Sequence, residues 1–346
     1  MATEVLATLS PSLPGTDPKA PLLAVEDLRV EFRTRVGVAK AINGVSFEVN
    51  SGETLAILGE SGCGKSVTAQ AIMGILDTPP GFVTGGQIRY RGVDLLKRTE
   101  EERRKVRANA IAMIFQDALS ALNPVFTVGF QSAEVYRKHR GTSRSDARKR
   151  AVELLELVKI PAARQRINDF PHQFSGGMRQ RVMIAMSLAL NPELLIADEP
   201  TTALDVTVQA QIMHLLADLQ REFNMGLILI THDMGVVADV ADRINVMYAG
   251  RIVEKAPVHD IYATPSHPYT KALLESIPRV DLKGQQLTVI KGLPPNLTNI
   301  PKGCAFHPRC RYAKDICRVD PVPPLYEAGP NISSACHFWT EVRGNG

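Results

Sequence analysis

Eight consecutive residues, Gly59-Glu60-Ser61-Gly62-Cys63-Gly64-Lys65-Ser66, restrict the fold of this chain more than any other stretch. They match G-x-x-x-x-G-K-[ST], a pattern that carries weight only where a strand precedes it and a helix follows. Both are expected here. Thr54–Leu58 is a short apolar run of the kind buried on both faces in a parallel sheet, and Ala69, Ile72, Met73 and Leu76 recur at helical spacing beyond the glycines. Glycine lets successive backbone N–H groups turn toward one anion, and the helix N-terminus adds its dipole. The residues placed to cradle phosphate are Gly59, Ser61, Gly62, Cys63, Gly64 and Val67. Lys65 is set to neutralise the β and γ phosphates, and the Ser66 hydroxyl to ligate Mg²⁺. Cys63, a lone thiol in a tight loop, is read as structural.

Leu194-Leu195-Ile196-Ala197-Asp198-Glu199 supplies the complementary chemistry. Four apolar residues bury a strand, and two adjacent carboxylates at its end are costly unless they meet a cation or a substrate. Asp198 therefore fits a Mg²⁺ shell, and Glu199 fits the base that activates an attacking water. Ile111–Phe115 and Leu227–Ile230 are further buried-strand candidates, and the helical stretches between them give an α/β chain with crossover helices on a parallel sheet. Alternating segments at Leu28–Phe32 and Val45–Val49 predict half-exposed strands in an antiparallel sheet at the front. A long helical section runs from about Asp117 to Leu190. Within it, Ser143–Lys159 reads as an amphipathic helix whose Arg144, Arg148, Lys149 and Arg150 face solvent.

The 346 residues allow two domains, or one large α/β domain with an appendage. Lys plus Arg number 40 against 36 for Asp plus Glu, so no charge excess argues for nucleic acid. The longest nearly apolar run, Val182–Leu190, is nine residues, whereas a membrane helix needs about 20. Glu4 and prolines 11, 14, 18 and 21 give residues 1–21 the texture of a mobile tail rather than a signal peptide, and the cytoplasm is the default compartment. After about Pro278 the prolines at 294, 295, 301, 308, 321, 323, 324 and 330 forbid long regular elements, so residues 279–346 are expected to form an appendage that does not continue the sheet. No internal repeat is visible.

Phe174-Ser175-Gly176-Gly177-Met178-Arg179-Gln180-Arg181 lies just ahead of the carboxylate strand. Ser175, Gly176 and Gly177 offer a hydroxyl and backbone N–H groups at an expected helix N-terminus, which makes a second anion site. Here the sequence resembles the ABC ATPase family, whose signature reads L-S-G-G-Q. It departs from that signature at Phe174, which keeps an apolar anchor, and at Met178, which lacks the hydrogen bonds of an amide. The resemblance implies an ABC cassette over residues 22–278: a P-loop NTPase core with an antiparallel β subdomain and a helical subdomain at about 117–190. It also implies that two cassettes pair head to tail and sandwich two ATP molecules. Further positions fall in the family's order: Phe32 for stacking on adenine, Gln116 for Mg²⁺ and the attacking water, Asp205 in the loop Thr202-Ala203-Leu204-Asp205, and His232 for the γ-phosphate. Glu199, His232 and Gln116 are thus the expected catalytic set.

Gln116-Asp117 with Leu122-Asn123-Pro124, the string from Asp198 to Thr207, and His267-Pro268-Tyr269-Thr270 are similar to the ATPase subunits of dipeptide and oligopeptide importers. That resemblance implies a peripheral protein at the cytoplasmic face of the cell membrane. Its expected partners are two transmembrane permease subunits, a second ABC ATPase subunit as a related chain in a heterodimer, and an extracytoplasmic substrate-binding protein. Nucleic acid is not an expected partner. DNA-repair relatives carry a long coiled coil within the cassette and ribosomal ones carry two cassettes, and neither feature is present. Nickel, glutathione and sugars stay open as cargo beside peptides.

Cys304, Cys310, Cys317 and Cys336 gather near the C-terminus with His307 and His337 close by in sequence. In a reducing compartment such a group suits metal better than disulfides. The spacings lack the C-x2-C knuckle common in zinc sites. A [4Fe–4S] cluster, which the importer extension resembled here is thought to hold in some members, is the leading expectation, with zinc or no metal as alternatives.

Overall fold

The structure, a computed structural model, describes residues 14–117, 121–202, 204–277 and 290–344. Most of the N-terminal tail, the expected boundary at 278/279 and Ala203 lie outside these residues. Twelve strands occur among them: β1 Leu23–Thr34, β2 Gly37–Val49, β3 Thr54–Leu58, β4 Gly81–Tyr90, β5 Val93–Asp94, β6 Ile111–Ile114, β7 Leu194–Asp198, β8 Gly226–Thr231, β9 Arg243–Tyr248, β10 Arg251–Pro257, β11 Tyr326–Gly329 and β12 Ile332–Ser334. The chain forms two compact units and passes between them within β2, β4 and β8. The first unit takes residues 23–48, 54–89 and those from 229 onward; the second takes the rest.

In the first unit β3 is buried at every position, as its unbroken apolar run requires. It pairs in parallel with β9, Leu55 opposite Arg243 and Leu58 opposite Val246. β9 turns into β10 through Ala249 and Gly250, both at positive φ, the backbone that a two-residue hairpin between antiparallel strands demands. Within this unit β1 lies between β2 and β4. The helix Lys65–Met73 follows the glycine loop and stops at Gly74, whose left-handed backbone (φ 63°) caps it, so Leu76 falls beyond the helix.

The C-terminal segment departs from expectation. β12 pairs antiparallel with β10, Glu254 opposite Ser334, and β11 pairs with β12, so residues 326–334 extend the sheet instead of standing apart from it. The prolines do shorten these strands, but they fall outside the pairing residues: Pro324 precedes β11, and Pro330 sits in the turn beside Asn331 at φ 58°. The carboxyl of Glu254, 1 % exposed, accepts from the backbone N–H groups of Ser266 and His267 at 2.5 and 2.9 Å. Burial nonetheless raises its pKa to about 7.

In the second unit β6 and β7 run parallel, Ile111 opposite Leu194 and Ile114 opposite Ala197. The strand expected to reach Phe115 ends one residue earlier, where that side chain turns out to solvent. The long helical section resolves into separate helices, of which Val128–Arg140, Arg144–Leu157 and Gly176–Leu188 pack on one another. Side chains of Thr127, Ser143 and Ser175 cap them by accepting from the backbone three residues on. Arg144, Arg148 and Lys149 are exposed, as the charge pattern predicts.

Candidate nucleotide site

The glycine loop lies wholly in the first unit. Gly59, Gly62 and Gly64 have φ of 157°, 78° and 109°, and only the last two sit well inside the left-handed region that favours glycine. Space is as restrictive as conformation. A Cβ on Gly59 would stand 2.3 Å from the Met247 carbonyl oxygen, and one on Gly64 would stand 2.6 Å from that of Ala41. Lys65 is buried, and its ammonium donates to the carbonyls of Gly59 and Glu60 at 2.7 and 3.2 Å. A cation is thus held against the backbone of the glycine loop, where it can meet a polyphosphate bound there. Ser66 and Val67 follow in the first helical turn, half-buried, and Ser61 is exposed. Cys63 is buried, which raises its pKa against the opposing pull of Lys65, so it stays a neutral thiol. Phe32 is half-buried in β1, and His232 follows β8 at once and is exposed.

The second unit carries the carboxylates. Asp198, 4 % exposed, ends β7, and Glu199 follows with a left-handed backbone at φ 45°, a conformation that costs a non-glycine residue and is found at functional turns. The Gln116 amide donates to Glu199 Oε2 at 2.9 Å, and the Thr202 hydroxyl donates to the same oxygen at 3.0 Å. Gln116 and Glu199, 83 residues apart in sequence, therefore meet. Sequence reading named Thr202 only as part of a loop.

Ser175 caps the helix Gly176–Leu188, its hydroxyl accepting from the Met178 N–H at 3.4 Å. Phe174 is the apolar anchor expected, 3 % exposed. A Cβ on Gly177 would reach within 2.5 Å of Val208 Cγ1, so this glycine lets two helices approach. Asp205 caps the next helix, Val206–Phe223, by accepting from the Val208 N–H at 3.0 Å.

The cysteines near the C-terminus are free thiols, and Cys304, Cys310, Cys317 and Cys336 line one small pocket with His307 and His337. Burial pushes the Cys310 thiol up to about 11 and that of Cys336 up to about 12. Among the described residues no three His, Cys, Asp or Glu side chains are disposed to hold a metal ion. Donor type and number suit a cluster, but the thiols are not folded as a ready ligand set, and the structure does not support the [4Fe–4S] expectation.

Two residues outside the expected site set hold the glycine loop, Tyr269 of the His267–Thr270 motif and Arg309. The backbone N–H of Glu60 donates to the Tyr269 hydroxyl at 2.8 Å, which gives the His267–Thr270 motif a structural role. The Glu60 carboxylate accepts from Arg309, to which no sequence pattern points.

With this geometry in hand, comparison with known proteins places the chain. Residues 42–202 match the ABC transporter family, and residues 253–317 match the oligopeptide/dipeptide transporter C-terminal region. The oligopeptide transport ATP-binding protein OppD of Bacillus subtilis is 55 % identical over 307 residues, covering 88 % of this chain and 86 % of that protein. OppD of Escherichia coli is 51 % identical over 91 % of this chain and 92 % of its own length. The dipeptide transport ATP-binding protein DppD of Bacillus subtilis is 52 % identical over 87 % and 90 %. Among solved structures, the ATP-binding cassette MJ0796, a dimer in a post-hydrolysis state bound to ADP and Pi, aligns with TM-score 0.61 and 28 % identity over 68 % of this chain and 98 % of that one. The chain belongs to the ABC transporter ATP-binding proteins, in the branch that joins the ATPase cassette to an oligopeptide/dipeptide transporter C-terminal region.

Proposed function

We propose that this chain is the ATP-hydrolysing subunit of an ABC importer for dipeptides or oligopeptides. The observation that carries the reading is the pair of partial sites in one chain: a lysine-centred glycine loop, and a glutamate held by Gln116 and Thr202 at the end of a buried strand. Lys65 offsets the charge of the β and γ phosphates, while Phe32 stacks on adenine. Ser66, Gln116 and Asp198 supply hard oxygen donors for Mg²⁺, which when bound offsets further phosphate charge. Glu199 takes a proton from the attacking water, His232 contacts the γ-phosphate, and Gln116 orients Glu199. Ser175, Gly176 and Gly177 serve the phosphates of a partner cassette, with Asp205 near the same junction.

No helix among the described residues is long and apolar enough to cross a membrane. Val125, Phe126 and Phe130 are 70 %, 44 % and 43 % exposed, and the two rings stack at 4.8 Å. Such a cluster on an otherwise charged helical part suits contact with another protein, here the permease pair at the cytoplasmic face of the membrane. A related second ATPase chain and an extracytoplasmic binding protein complete the assembly. In the assembled transporter, MgATP turnover should rise with oligopeptide presented on the binding protein. Equal stimulation by nickel, glutathione or a sugar, with none by peptide, would reassign the cargo.

The same reading extends to the four thiols as a [4Fe–4S] site that would cross-link a segment poor in apolar core. Protein purified without oxygen should then carry about four irons per chain and lose them in Cys310→Ser, with nucleotide binding kept. Stoichiometric zinc, or no metal at all, would remove the cluster.

A further inference from the structure

Glu60 is the residue directly after Gly59 in the phosphate loop, and it is held at three points. Its carbonyl accepts from Lys65, its N–H donates to Tyr269, and its carboxylate is gripped by Arg309 from the C-terminal segment, 249 residues away. The two guanidinium bonds are 2.6 and 2.9 Å, with the arginine side chain 5 % and the glutamate side chain 25 % exposed. This is the two-pronged pairing that only arginine makes, with the guanidinium shielded from water and the carboxylate partly so.

The arginine is itself fixed. It ends the single turn His307–Arg309, its Nε donates to the Lys291 carbonyl at 3.2 Å, and Nη1 also reaches the Tyr248 hydroxyl at 3.3 Å. Phe306, at the head of that turn, packs edge-on against Tyr248 at 5.2 Å and against Tyr269 at 5.3 Å. Tyr248 ends β9, the strand that pairs with β3 where β3 enters the glycine loop. Loop, strand and C-terminal turn therefore form one braced block.

We propose that Arg309 is a positioning residue for the phosphate loop: it fixes Glu60 and cancels a carboxylate that would otherwise repel the incoming phosphates. The C-terminal segment is on this account part of the nucleotide site. The inference rests on reading Gly59–Ser66 as that site. Without Arg309 the loop keeps an unpaired anion beside the place where a polyphosphate must bind, and Lys65 has to offset both. Removing both charges relieves the conflict.

The test is titration of the full chain with MgADP. Arg309→Ala should weaken binding roughly tenfold, within the usual range for coupled sites. In a Glu60→Gln background the same change should cost less than about threefold, because the anion it exposes is gone. Arg309→Lys, which keeps charge but not the fork, should fall between wild type and Arg309→Ala. If truncation to alanine unfolds the chain, Arg309→Gln carries the same comparison. Wild-type affinity in Arg309→Ala, or an equal loss in both backgrounds, overturns the proposal; the latter is what a purely structural arginine gives. Folded wild-type protein that binds no MgADP would instead overturn the reading of the loop, and this inference with it.

Discussion

Glu199→Gln should retain MgATP and lose turnover by a factor on the order of 10²–10⁴, the usual worth of a general base. The amide keeps the size of the side chain and can still meet Gln116 and Thr202, which both donate to the same oxygen at 2.9 and 3.0 Å. It cannot take a proton from water. Glu199 also bears a left-handed backbone, so a change that disturbs only its acidity is a cleaner probe than one that alters its bulk. Phosphate release by the assembled transporter gives the rate, and retained nucleotide on the purified complex shows that binding survives. A variant hydrolysing at the wild-type rate would assign the base elsewhere.

Lys65→Ala should act one step earlier. The ammonium is buried and donates to two carbonyls of its own loop, so its removal takes away the cation opposite the phosphates and costs those two hydrogen bonds as well. Nucleotide affinity should fall at least roughly 30-fold, equivalent to about 2 kcal/mol. Ser175→Arg makes the contrast. It places a bulky cation at an exposed helix N-terminus, sparing nucleotide binding by one chain while blocking nucleotide-driven pairing of cassettes. Equal loss of single-chain affinity in both variants would contradict a site built from two faces.

Much of this was legible in the residues because the governing interactions are local. The glycine loop needs its φ angles and its close approach to Met247 and Ala41, and no other residue type serves, so the pattern shows in eight letters. Ser175 reads as a cap because a hydroxyl before a helix has few other uses. Long-range pairing leaves no such mark. Nothing near Arg309 points to a glutamate 249 residues away, and Tyr269 belonged to a recognised motif whose reason appears only when its hydroxyl meets the loop. Proline count misled for the C-terminal strands, since position within the turn, not number, decides whether a segment can pair. Cysteine spacing shows donor type and number, but it does not fix how the thiols are disposed in space.

Uptake of labelled oligopeptide into sealed vesicles tests the central claim most directly. The vesicles hold the complete transporter, with MgATP supplied on the side of this chain and peptide with its binding protein on the other. MgATP-dependent accumulation is expected with the wild-type chain, and accumulation reduced to background with Glu199→Gln although MgATP remains bound. Accumulation that proceeds without MgATP, or that is unchanged by Glu199→Gln, would contradict it.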